Sequence, residues 1–249
     1  MKVAVAGAAG NTAQRLIPRL IERGHEVRGL VRRQEQLQTL EDLGAQGTLL
    51  DLESACPEEV RGAIGDAGAI IFAAGAGPGS GPERKQTMDY GGAVKLIEAA
   101  ENTGIRRYVM LSTMNADAPG ALGEQMKPYL EAKAAADERL RESGLEYAII
   151  RPGRLTGEAG TGRIDAARSL QRRGEIPRED VAEALAAALD EDAARNETID
   201  ILSGETPGLR GAAQLLVATG ASRAVVPRLC GRSRAGPLSG GRGRPRPIL

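Results

Sequence analysis

Gly7, Gly10 and Ala13 are the first residues whose spacing could do chemistry, in the run Lys2-Val3-Ala4-Val5-Ala6-Gly7-Ala8-Ala9-Gly10-Asn11-Thr12-Ala13. An apolar strand that ends at a glycine and a helix that begins three residues later force backbone N–H groups towards whatever lies above the turn. Gly7 supplies the tight turn, Gly10 admits a pyrophosphate without a Cβ in the way, and Ala13 is small enough for close helix-on-sheet packing. The helix start adds roughly half a positive charge and several unpaired donors. A structural turn would use the same glycines, but the position after a buried strand and before a helix favours a dinucleotide. The candidates for holding it are Gly7, Ala9, Gly10, Asn11, Thr12 and Ala13.

The end of the second strand decides which dinucleotide. NAD binders place an acid there for the ribose 2′-hydroxyl. This chain reads Gly29-Leu30-Val31-Arg32-Arg33, with no acid before Glu35. Arg32 and Arg33 suit a 2′-phosphate, which guanidinium grips in a fork. Cations are mildly unfavourable at a helix start, so their presence asks for an anion. The expected cofactor is NADP, with NADPH preferred over NADH. Asp51 and Leu52, past the third strand, either flank the adenine or, for Asp51, cap a turn.

These groups need a parallel sheet to hold them. Short apolar runs alternate with longer amphipathic segments, the pattern of a sheet covered by helices. Strands are expected at Lys2–Ala6, Glu26–Val31, Gly47–Leu50, Ala69–Ala73, Arg107–Leu111 and Tyr147–Arg151, with a weaker seventh at Thr198–Leu202. Four of them hold continuously apolar stretches, as strands buried on both faces do. Val181, Ala184, Leu185, Ala188 and Leu189 fall on one helical face, with Pro177 before that helix and Asp180 as its cap or first-turn acid. No internal repeat is visible. Two glycine-rich segments, Gly75–Pro82 and Gly153–Gly162, follow strands at the ligand edge and are expected to be flexible walls of a substrate pocket.

Composition narrows the function classes. The 249 residues hold 33 basic and 33 acidic side chains, two Cys, one His and no Trp. One His leaves no zinc site or Cys–His nucleophile, so no metal is expected. No apolar run approaches the ~18 residues of a membrane span, so no membrane partner is expected. Lys2 before an apolar stretch superficially resembles a signal peptide, but the stretch runs straight into the glycine loop, and the chain reads as cytoplasmic. Residues 206–249 carry eight Arg and no acid or Lys, which leaves the first 205 residues with 25 basic and 33 acidic side chains. An acidic body with five scattered aromatics argues against nucleic acid as the main partner. The division expected is a domain over 1–207 and a basic, low-complexity tail over 208–249. That tail is either disordered or a non-native continuation, removable without loss of folding.

Further motifs then fall into place. After the fourth strand come Ala73-Ala74-Gly75, then Asp89-Tyr90-Gly91-Gly92-Ala93; after the fifth, Leu111-Ser112-Thr113; then Tyr129-Leu-Glu-Ala-Lys133; after the sixth, Arg151-Pro152-Gly153. With the glycine loop, this set resembles the atypical short-chain dehydrogenase/reductase family, in its small NAD(P)H-binding subgroup related to NmrA-like and epimerase-like proteins. The resemblance covers residues 1–207. It implies a single Rossmann-type α/β domain, a doubly wound parallel sheet of order 3-2-1-4-5-6-7, with the nicotinamide over the strand ends.

It also implies roles. Tyr129 would give or take the substrate proton. Lys133, four residues on and so on the same helical face, would favour the phenolate and bond the nicotinamide ribose. Ser112 would hydrogen-bond the substrate oxygen and stabilise charge there. Asp89 stands where the wider family often has Asn, and Gly91-Gly92 would relax the helix locally. Ala73, Ala74, Gly75, Pro152 and Gly153 join the cofactor set. Each polar group also has a plain structural reading: half-buried aromatic, solvated charge, strand-end hydroxyl, helix cap. Pro128 disfavours helix at Lys127 and puts the helix start at Pro128, with Tyr129 in its first turn. His25 and Cys56 read as structural.

The expected activity is NADP(H)-dependent reduction of a small carbonyl or quinone-like substrate by hydride transfer. The alternatives are a non-catalytic NADP(H) sensor of NmrA type and an epimerase-like enzyme. The stretch after the sixth strand is short for the lid of a nucleotide-sugar enzyme.

Overall fold

The computed structural model describes residues 1–77 and 79–207, so the expectations for the 208–249 tail lie outside the described residues. The elements run β1 (Lys2–Ala6), α1 (Ala13–Glu22), β2 (Glu26–Val31), α2 (Gln36–Asp42), β3 (Gln46–Leu49), α3 (Pro57–Ile64) and β4 (Ala69–Phe72). Next come α4 (Pro82–Arg84), a π-helical stretch over Lys85–Gly92 that leads directly into α5 (Ala93–Thr103), β5 (Arg107–Leu111), α6 (Lys127–Glu142) and β6 (Glu146–Pro152). The chain finishes with β7 (Arg154–Thr156), β8 (Arg163–Ala167), β9 (Glu175–Pro177), α7 (Arg178–Asp190) and β10 (Glu197–Pro207).

One eight-stranded sheet has the order β3-β2-β1-β4-β5-β6-β10-β8. The first seven strands in that order are parallel, as expected, with the anticipated seventh strand appearing as β10; β8 adds an antiparallel edge. Side chains alternate across the sheet. Val3, Val5, Ile71, Val109 and Ile150 face α1 and α7, whereas Ala4, Ala6, Ile70, Phe72, Tyr108 and Met110 face α3, α5 and α6. Both faces are therefore dry, which accounts for the unbroken apolar strands. A buried Val, Leu or Ile contributes roughly 1.5–3 kcal/mol over its exposed state. On α7, Val181, Ala184, Leu185, Ala188 and Leu189 are all buried, as their spacing requires.

Some local features differ from expectation for identifiable reasons, and others follow it. The segment 153–162 contains β7, which pairs with β9, and its glycine end is tied down rather than loose. Asp180 accepts from the Thr161 and Gly162 N–H groups at 3.0 and 2.9 Å, and Glu179 accepts from Gly160 N–H at 2.9 Å. Asp180 is thus the first-turn acid of α7, one of the two roles expected of it, and its carboxylate caps this loop while Pro177 holds the N-cap position. Helix α6 starts at Lys127, one residue before the expected start, because Met126 already has helical backbone angles; Pro128 takes the second position, where no N–H is needed. The helix relaxation expected at Gly91-Gly92 is the π-helical stretch, which brings Asp89 inwards. His25 bonds Asp190 at 3.0 Å, and Cys56 caps α3 with Glu59 reaching back to its N–H at 2.8 Å, both structural.

Candidate cofactor-binding and active site

A cleft of about 960 Å³ opens over the carboxyl ends of β1, β4 and β5. Its floor is the glycine loop. Gly7 has φ +73, and a Cβ there would stand 2.6 Å from Ala74 Cα. Gly10 N–H donates to the Gly7 carbonyl at 2.8 Å, and Gln14 Nε2 donates to the Ala9 carbonyl at 2.8 Å, so the turn is braced from both sides. The N–H groups of Asn11 and Thr12 have no acceptor among the described residues and head into α1. A glycine-only turn pressed against the next strand, with free amides above it, fits a pyrophosphate.

At the β2 end, where the sequence reading expects the adenosine, the cleft is lined by Leu30, Val31, Arg32, Gln36, Leu50 and Leu52. Arg32 is exposed and holds no ion pair among the described residues; its charge helps keep Glu53 below the usual carboxylate range, a shift led by the Thr87 hydroxyl. Arg33 turns away and pairs with Glu35 at 3.2 Å. Asp51 is exposed, outside the lining, and accepts from Glu53 N–H at 3.0 Å, closing a turn.

Ala73, Ala74 and Gly75 form the middle wall. A Cβ on Gly75 would be 3.0 Å from Asp89 Oδ1, so glycine lets this carboxylate approach the loop. Asp89 Oδ2 accepts from Ala76 N–H at 3.1 Å, and Oδ1 lies 3.2 Å from Lys133 Nζ. Lys133 also donates to the Leu111 carbonyl at 3.2 Å and stands over the Phe72 ring. Burial alone would lower the Lys133 pKa, but Asp89 and Tyr129 outweigh it and hold the ammonium above its ordinary value.

Tyr129, in the first turn of α6, lines the same cleft, with Lys85 Nζ 5.2 Å from its ring centroid. Its phenol is shifted upwards, chiefly by burial; Lys133 pulls the other way, and Asp89 cancels part of that pull. Tyr129 therefore keeps its proton at neutral pH, whereas the family resemblance implied a Lys133-favoured phenolate. Ser112 also lines the cleft, but its hydroxyl donates to Asp137 Oδ2 at 2.9 Å. Asp137 is fully buried, receives Arg151 Nε at 2.8 Å, and leaves Oδ1 without a partner. Burial raises its pKa, with Arg151 opposing. Arg151 extends this chain to Asp117.

Of the cofactor candidates, Gly7, Ala9, Gly10, Asn11, Thr12, Arg32, Leu52, Ala73, Ala74, Gly75 and Lys133 line the cleft. Ala13, Arg33, Asp51, Pro152 and Gly153 do not. Ala13 is buried beneath the loop; Pro152 accepts from Met114 N–H at 3.0 Å, and the space beside Gly153 is filled by Leu202 and Gly174. Leu155 belongs to the Gly153–Gly162 segment expected to wall the substrate pocket, whereas sequence reasoning passed over Lys85, Met126 and Arg178, whose types resemble ordinary surface or core positions. It also passed over a second cavity of about 390 Å³, lined by Asp117, Arg151, Arg168, Arg172, Arg173 and Asp200 among others. Among the described residues no cluster could hold a metal ion, and no helix is long and apolar enough to cross a membrane.

The NAD(P)H-binding family model matches residues 7–192. The chain belongs to this family. A Bacillus subtilis relative, the uncharacterized sugar epimerase YhfK, is 43% identical over 208 residues, 83% of this chain and 96% of its own. A Bacillus halodurans structure whose name places it with the NAD-dependent epimerase/dehydratases superposes with TM-score 0.81 at 35% identity, over 86% of this chain and 99% of that one. The Lactococcus lactis oxidoreductase ylbE gives TM-score 0.76 at 27% identity, over 88% and 97%. This family member thus shares its fold and dinucleotide-binding architecture with oxidoreductase-like and epimerase-like Rossmann proteins, as the sequence motifs implied.

Proposed function

We propose that the protein is an NADP(H)-dependent reductase of a small carbonyl or quinone-like substrate. One observation carries the reading: Tyr129, Lys133 and Ser112 meet in one cleft whose floor is the glycine loop and whose far end carries Arg32. A bound NADPH would supply the hydride, two electrons and a hydrogen delivered to the carbonyl carbon. Lys133, held charged by Asp89, would bond the ribose hydroxyls and fix the ring above the β5 end. As the carbonyl π pair moves to oxygen, Tyr129 gives that oxygen its proton and regains one from solvent. Its raised pKa keeps the phenol in the protonated form that donation requires, while making it a weaker acid than a free phenol. The Ser112 proton is committed to Asp137, so its lone pairs orient a donor on the substrate or cofactor.

The decisive experiment follows NADPH consumption over a panel of aldehydes, ketones and quinones, with Tyr129→Phe beside the parent. Turnover lost in the variant, with cofactor affinity kept, supports the reductase. Tight NADPH binding without turnover supports the second reading, a cofactor sensor. The internal pairing of Lys133 with Asp89 and of Ser112 with Asp137 favours that alternative. The name of the Bacillus subtilis relative points to sugar epimerisation, for which the described residues after β6, 153–207, offer little lid. Two cysteines, too few for a disulfide framework, suit a cytoplasmic location.

A further inference from the structure

We infer that the substrate of this cleft is an anion, a carboxylate-bearing carbonyl compound whose charge is received by Lys85 and Arg178; the inference rests on the reductase reading. The lining holds five basic residues, Arg32, Arg84, Lys85, Lys133 and Arg178, against one acid, Asp89. Asp89 is taken by Lys133 at 3.2 Å, and Arg84 is neutralised from outside by Glu53 at 3.1 Å. Arg32 faces the adenosine end, where a 2′-phosphate would claim it, and the pyrophosphate is met by the glycine-loop amides.

Two cations remain. Lys85 Nζ stands 5.2 Å from the Tyr129 ring centroid, and neither Lys85 nor Arg178 has a carboxylate partner among the described residues. Arg178 Nη1 donates to the Thr156 carbonyl at 2.8 Å, which fixes the guanidinium beside Leu155 and leaves its charge unopposed. A ring face holds an ammonium without neutralising it. Both side chains are half-buried, so solvent screens them less than it would on an open surface. A concave wall of one sign concentrates ligands of the other. Lys85 reaches the Tyr129 face from the segment after β4, and Arg178 enters the same cleft beside Leu155 from the start of α7, so a carboxylate held there would lie in the cleft that holds the group protonating the carbonyl.

The test uses the full chain with phenylglyoxylate, its methyl ester and 4-acetylphenyl phosphate. NADPH oxidation is read for the parent, Lys85→Met and Arg178→Met. NADPH affinity is read by nicotinamide fluorescence, and ligand binding to the NADP⁺-loaded protein by thermal shift. The expected result is a kcat/KM for the acid about 10-fold or more above the ester in the parent. That ratio should fall towards one in each variant, with NADPH affinity kept. Preference for the phosphate over the acid would retain the anion and replace the carboxylate. Tyr129-dependent turnover without discrimination between acid and ester would overturn the inference and leave the reductase. Acid-selective thermal shifts lost in the variants, without turnover, would keep the anion site and remove the reductase. Variants that weaken NADPH instead of narrowing the ratio would assign these cations to the cofactor phosphates and overturn the proposal.

Discussion

Lys133 and Asp89 form a buried ion pair, Nζ to Oδ1 at 3.2 Å, with 4% and 2% of their side-chain surfaces exposed. Such a pair is costly to break from one side, because the survivor is left charged in a dry site. Asp89→Ala should therefore destabilise the fold by about 3–5 kcal/mol. Chemical denaturation measures this; a loss under about 1 kcal/mol would mean that Lys133 reaches solvent in the native state.

Arg32 alone of the arginine pair lines the cleft, so the two should behave differently. Arg32→Ala is expected to weaken NADPH about 10–100-fold, the worth of one or two charge-assisted bonds, while NADH changes little. Arg33→Ala should leave both nearly unchanged. Fluorescence titration of all four combinations checks this, and equal losses of NADPH and NADH in Arg32→Ala would remove the 2′-phosphate assignment.

The upward shift of Tyr129 has a definite sign in kinetics. A raised pKa keeps the phenol protonated through neutrality, so carbonyl reduction should be flat with pH up to about 10 and fall beyond it. The reverse reaction needs the phenolate and should rise with pH over the same range. A reduction profile with a Tyr129-dependent fall near pH 7 would contradict the burial-dominated shift.

Gly7 cannot become alanine without cost. The backbone is left-handed at φ +73, and the new Cβ would overlap Ala74. The conformational term alone is about 1–2 kcal/mol. The steric overlap adds to it, and the displaced turn should cost NADPH affinity as well. Thermal unfolding with and without cofactor reads both; a Gly7→Ala protein with parental affinity would show that the turn is not the cofactor floor.

What could be read beforehand follows the range of the interactions. Strands β1 and β5 are legible to the residue because burial on both faces imposes an unbroken apolar run, and β2 is legible as well although Glu26 and Arg28 interrupt its apolar residues. The glycine loop is legible because its geometry is local. The pairing of Ser112 with Asp137 spans 25 positions and exists only once α6 lies across β5. Part of it was nevertheless available: Asp137 follows Lys133 by four residues, as Lys133 follows Tyr129, so one helical face carries all three. Strands β7 and β9 are three residues each, too short for any period to register. Lys85 and Arg178 carry no pattern at all, since a cation facing a cleft and one facing water look alike in a sequence.

Arg151 is a wall with two sides. One side holds Asp137, and through it Ser112 in the large cleft; the other holds Asp117 in the smaller cavity. A side chain shared in this way is expected to couple the two hollows, and any free energy so exchanged must be equal in both directions. A double-mutant cycle of Asp117→Ala with Ser112→Ala should accordingly show a coupling of at least about 0.5 kcal/mol, where independent sites would simply add.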